Sequence, residues 1–237
     1  MKRFTTIFLS TLLLISTAVS GQDSISDGKL RISVEIYSKH LWRGSANGTT
    51  VSLQPSLEYQ KGRFTTGAWG AWCPNGSYTE LDLYLSWSAE NLTFTLYDYF
   101  CPVNPVQKFE FFEIAKGRTR HTFDLNAEYA NPEKHPFALL AAVMVYGDDL
   151  NPENGRNNYS TYIEPSVSFT PCKFNLRAFT GFTPFSSYYA NKASFINTGI
   201  SVARKIPVTH KYAVTLKSAL VYNPFRKQAH FTLGVKL

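Results

Sequence analysis

The 237 residues are 44% hydrophobic and only 17% charged, which excludes a disordered chain and falls below the roughly 25% charge of ordinary soluble domains. Setting aside Lys2 and Arg3, which open an apolar leader, 22 basic residues face 17 acidic ones. So small an excess, with no basic run, argues against a nucleic-acid partner. Three cysteines make neither a disulfide framework nor a zinc-site spacing. Few charges and 15% aromatics point to a surface that meets lipid.

In chain order, residues 1–21 read as a secretory signal peptide. Lys2 and Arg3 precede the apolar run Ile7–Ile15, and Ala18-Val19-Ser20-Gly21 forms a small-residue exit. Residues 22–29 are expected as a short N-terminal segment and 30–237 as the folded domain. Past the leader no apolar stretch reaches the roughly 20 residues of a spanning helix. A membrane protein of this kind must then be a closed barrel, which pairs every strand N–H and C=O without a helix.

The hydrophobic period is two almost throughout. Leu30, Ile32, Val34 and Ile36 alternate with Arg31, Ser33, Glu35 and Tyr37; Leu81, Leu83, Leu85 and Trp87 alternate with Glu80, Asp82, Tyr84 and Ser86. Similar two-faced strands begin at Val51, Thr122 and Tyr162. Less regular segments bring the total to about twelve, and Phe137–Tyr146 is apolar on both faces. Lys61-Gly62, Ala89-Glu90, Asn131–Pro136, Thr170–Cys172 and Lys205–Val208 are short junctions. His40–Thr50, Cys101–Thr119, Asp148–Asn158 and Thr183–Lys192 are long ones, and the two kinds alternate. That pattern predicts an all-β, closed antiparallel transmembrane barrel with both termini in the periplasm. The last strand, Phe231–Leu237, ends on an apolar residue, as a signal to the barrel-assembly machinery does.

Trp42, Trp69, Trp87, Tyr97 and Tyr129 are expected at the membrane interface, where an amphipathic ring keeps its polar edge in the headgroup layer. Polar strand faces turned to the axis make Glu35, Glu80, Asp82, Asp124, Glu164 and Arg177 the expected pore lining. Such a bore is narrow. Its charged lining either selects small solutes or pairs into a plug.

Ser38-Lys39-His40-Leu41-Trp42-Arg43-Gly44, Gln54-Pro55, Gly67-Ala68-Trp69-Gly70, Tyr97-Asp98-Tyr99 and Tyr146-Gly147-Asp148-Asp149 follow one another along the chain. Together they resemble small outer-membrane proteins of Bacteroidetes similar to the TorF-family porins. The resemblance implies an outer-membrane barrel in a Gram-negative bacterium and names no substrate.

The expected function is a narrow porin or solute-binding barrel, with no cofactor, no metal and no catalytic residue. Two alternatives stand beside it. One is an outer-membrane lipid-modifying enzyme, a lipid hydrolase using Ser38 and His40 on an outward face near the external rim. The other is a soluble periplasmic β-sandwich or lipocalin-like binding protein. The oxygen-rich loop Gly147–Gly155 lacks the ligand spacing of a calcium site. Cys73 and Cys101 both fall in external loops, where an oxidising compartment permits a bond between them. Cys172 falls on the opposite rim.

Overall fold

A computed structural model describes residues 28–102, 110–210 and 212–237. The leader and residues 22–27 lie outside these. Among the described residues, twelve strands close into one antiparallel barrel. They are β1 (Gly28–Tyr37), β4 (Ser52–Lys61), β5 (Phe64–Trp72), β6 (Thr79–Ala89), β7 (Leu92–Phe100), β8 (His121–Ala130), β9 (Phe137–Gly147), β10 (Thr161–Phe169), β11 (Asn175–Thr183), β12 (Ser194–Pro207), β13 (Ala213–Asn223) and β14 (Gln228–Lys236). Each pairs with its chain neighbours, and β1 closes on β14 through Glu35 opposite Lys236, Ile36 opposite Val235 and Tyr37 opposite Gly234. At that seam the Tyr37 ring lies flat over Gly234, filling the place a Cβ would take. A further pair, β2 (His40–Trp42) and β3 (Ser45–Asn47), forms its own hairpin, separate from the strands of the wall.

The distribution of polarity is inverted relative to a soluble protein. Leu30, Leu57, Leu85, Phe94, Leu125, Leu220 and Phe231 are exposed, while Gln54, Asp82, Asp124, Glu164 and Thr232 are buried. Registers explain this, because each pleat sends alternate side chains to opposite faces and most of the large apolar side chains fall on the outer one. Closure also removes both sheet edges, so every strand finds a partner on each side. The β-sandwich expectation is therefore overturned: there is one cylinder rather than two layers, and its interior is polar. The two-faced strand β9 resolves in the same way. Ala138, Leu140, Ala142 and Met144 share the inner face with Glu164 and Ser166 of β10, leaving Phe137 and Leu139 outside.

Two bulges shape the end that carries the long loops. One faces Phe123 and Asp124 across β9, and one faces Gly181 and Phe182 across β12. The second inserts an extra residue, Ile196, which turns inward and is buried. Ile196 joins Ala142, Met144, Tyr162, Tyr189 and Ala190 in an apolar cluster inside the barrel, with Trp42 packed against it. The short turns 62–63, 90–91, 131–136, 170–174 and the one between β12 and β13 occupy the other rim.

Candidate functional site

The first long loop does not project outward; it folds into the lumen. Its β2–β3 hairpin turns on Arg43 and Gly44, both at positive φ (43° and 79°), the backbone of a two-residue type I′ turn. Arg43 is the costly member, because a side chain at positive φ is strained unless its surroundings hold it. They do. The guanidinium is buried, ion-paired to Asp124 Oδ2 on β8 at 2.8 Å, and donates to Asn126 Oδ1 at 3.1 Å and to the Tyr189 hydroxyl. It also lies 4.9 Å from the ring centres of both Trp42 and Tyr162. Gly44 touches the opposite wall: a Cβ there would fall 1.8 Å from the Ile196 carbonyl oxygen, and Asn223 Nδ2 donates to the Gly44 carbonyl at 3.1 Å. At the hairpin's base, Thr232 Oγ1 of β14 donates to the Lys39 carbonyl at 2.9 Å. The loop thus spans the bore from β14 to β8.

His40 begins the hairpin and is buried. Gln54 Nε2 donates to its Nδ1 at 3.0 Å, leaving the proton on Nε2, which lies 3.5 Å from Glu80 Oε2. Its ring packs on Trp69 and Tyr78. This overturns the outward placement that the lipid-hydrolase alternative needed. Ser38 bonds to Thr232 and to the Leu233 amide, apart from the His40 ring's partners.

All six acids and bases expected along the pore face the axis, and almost all are partnered. Glu164 accepts from Tyr162, Arg177 and Asn197, the last at 2.8 Å. Glu35 receives Lys217 Nζ at 2.7 Å and the Tyr37 hydroxyl at 2.8 Å, with Lys236 at 3.4 Å. Glu80 accepts from the Tyr78 hydroxyl at 2.8 Å and from Cys101 Sγ at 3.3 Å. The exceptions are Asp82, buried with Oδ1 unpartnered, and Asp124, whose Oδ1 is buried without a hydrogen-bond partner while Oδ2 meets Arg43. Beside Glu80 and just outside the strands, burial pushes both the Cys101 thiol and the Tyr78 hydroxyl above their ordinary values, so both stay protonated.

Three of the expected interface aromatics are lumenal instead. Trp42 rides the inserted hairpin against Tyr99 and Tyr189. Trp69 shares its face with Ser56 and Asp82, and Tyr97 shares its face with Tyr84 and Asp124. Trp87 and Tyr129 do point outward, each one strand position or two from a short turn. Cys73 and Cys101 are free thiols. In the loop after β9, the Asp149 carboxylate is spent on the Ser160 amide and hydroxyl and on Asn158.

One pair escaped the sequence. On the outer wall, His121 Nδ1 lies 2.7 Å from Asp98 Oδ1 and Nε2 lies 2.6 Å from the Phe111 carbonyl. Phe111 from the third long loop packs on the His121 ring and on Phe100 beside it. Both ring nitrogens face acceptors, and the bond to the Phe111 carbonyl ties the loop to the wall.

No family model matches the chain, and no curated protein matches it. Among solved structures, an outer-membrane channel from Pseudomonas putida F1 is similar at 13% identity and a TM-score of 0.40, over 90% of this chain and 95% of that one. A likeness that loose carries no function across. The comparisons give no support to the Bacteroidetes or TorF-family likeness.

Proposed function

We propose that this chain is an outer-membrane β-barrel that passes or holds small solutes in a narrow lumen, with the β2–β3 hairpin as an internal constriction. The observation that carries the reading is the inverted cylinder, with an exposed apolar wall around a polar, charge-bearing interior. Water would penalise that outer surface by about 25 cal/mol per Å², whereas acyl chains accept it. On this reading residues 1–21 direct export and are removed. The outward Phe231, Leu233 and Val235 offer the last strand to the assembly machinery, and the short turns face the periplasm.

The hairpin makes the bore a constricted one. A cavity of about 380 Å³ remains between it and the wall, within the size range of small-molecule sites. Membrane fractionation, heat-modifiable migration on a denaturing gel and planar-bilayer recording together test the proposal. Detergent-dependent, heat-modifiable protein with small stepwise currents is the expected result. A chain recovered in the soluble fraction without detergent refutes it.

A further inference from the structure

The lumenal charges are sorted by wall. Acids occupy one continuous arc from β4 to β10: Glu58, Glu80, Asp82, Asp124, Glu128 and Glu164. Bases occupy the complementary arc from β11 round to β1: Arg177, Lys217, Lys236 and Arg31. The arcs are stitched at both seams, by Glu164 to Arg177 and by Glu58 to Arg31. Glu35 alone crosses the division, and Lys217 and Lys236 hold it.

The hairpin treats the two arcs differently. Its charged and ring side chains cover the acidic one, with Arg43 against Asp124 and His40 against Glu80. The cavity it leaves lies along the basic arc, and its lining holds Lys39, Arg43 and Arg177 with no Asp or Glu. Arg43 and Arg177 each already have a carboxylate. Lys39 has no ion pair or side-chain hydrogen bond among the described residues, so its ammonium is the cation left over. In the same lining Gln54 and Asn197 present amide oxygens and Thr232 a hydroxyl oxygen, their N–H and O–H groups being held by His40 and Ser52, by Tyr162 and Glu164, and by the Lys39 carbonyl, and Trp69 presents a ring.

We infer that the passage beside the hairpin selects small organic anions that carry hydroxyl groups, the carboxylate meeting Lys39 and the hydroxyls meeting Gln54, Asn197 and Thr232. The physical reason is that a cavity walled by one sign of charge in a low-dielectric surround concentrates the opposite sign. This deepens the solute-barrel reading and rests on it, but binding and conduction separate the two.

The full chain folded in detergent at low salt would be titrated calorimetrically with gluconate, with glucose as the uncharged analogue and protonated glucosamine as the cationic one. Gluconate should bind about tenfold tighter than glucose, as a charge-assisted contact implies. Lys39→Gln should erase most of that difference, while Lys134→Gln on the opposite rim should not. In planar bilayers under a potassium chloride gradient the reversal potential should favour chloride, and Lys39→Glu should shift it toward potassium. Equal binding of gluconate and glucose, preference for glucosamine, or an unchanged Lys39→Gln overturns the inference. Gluconate binding without any current would sink the channel and keep the anion site. Current that favours potassium would do the reverse.

Discussion

Replacing Arg43 with alanine isolates what keeps the hairpin inside. The substitution removes the only cation paired, among the described residues, with Asp124, whose side chain is fully buried, along with two ring contacts at 4.9 Å. Breaking a buried pair by deleting one partner costs about 3–5 kcal/mol, because the surviving charge stays desolvated. At 1.4 kcal/mol per tenfold, a loss of about 4 kcal/mol shifts the seated-to-displaced ratio of the hairpin by roughly a thousandfold. Displacement lets water reach Asp124, so the penalty falls on the hairpin and not on the wall. The expected signature is larger single-channel current and faster amide exchange at Leu41–Asn47, with heat-modifiable migration unchanged. Arg43→Met combined with Asp124→Asn discards both charges, and should restore small currents to within about 1–2 kcal/mol of the parent equilibrium. Currents and exchange in Arg43→Ala indistinguishable from those of the parent would refute the reasoning, since the pair would then hold nothing in place.

Gly44→Ala should open the lumen by a different route: a Cβ 1.8 Å from the Ile196 oxygen, at a φ of 79°, denies the turn its seat, and unchanged current would count against the contact. Leu85→Arg places a charge on the outer face near the middle of β6; it should cost about 2–4 kcal/mol of barrel stability in lipid, measured by urea titration in vesicles, and a neutral outcome would argue against a lipid-facing wall. Maleimide should label the exposed Cys172 at pH 7–8 and spare Cys101, whose thiol burial beside Glu80 keeps protonated. Reduction should leave the mass unchanged, and a two-proton mass increase would instead reveal a disulfide.

The strands were legible because a period of two is imposed by the pleat itself, and a barrel wall has to obey it at nearly every position. The alternation of short and long junctions was legible for a similar reason, since short turns are all that one rim needs. What escaped is tertiary. Nothing local to Lys39–Asn47 distinguishes a loop that waves in solvent from one that folds inward, because Trp42 and Arg43 suit an interface as well as a plug. Tyr97 is a different kind of miss. Leu92, Phe94 and Leu96 already assigned the outer face of β7, so its odd position signalled the lumen. In β5 that signal is weak, because Gly67, Ala68, Gly70 and Ala71 leave both faces small around Trp69.

The sorting of charge bears on function because it opposes stability. A barrel selected only to persist would interleave acids and bases around its bore, so that each buried charge found its partner across one strand. Here the acids and bases of the wall meet only at the two seams and around Glu35, and β6 carries Glu80 and Asp82 two positions apart, on one face, with no lysine or arginine ion-paired to either among the described residues. The hairpin, separate from the strands of the wall, brings Arg43 to the acidic arc, so Asp124 is neutralised by a segment that is not part of the cylinder. Such an arrangement couples the position of the hairpin to the field in the lumen: seated, it exposes solute to the basic arc alone, and displaced, it uncovers both. A structural salt-bridge core gives no reason for that coupling, whereas a passage that discriminates by charge requires a field across it.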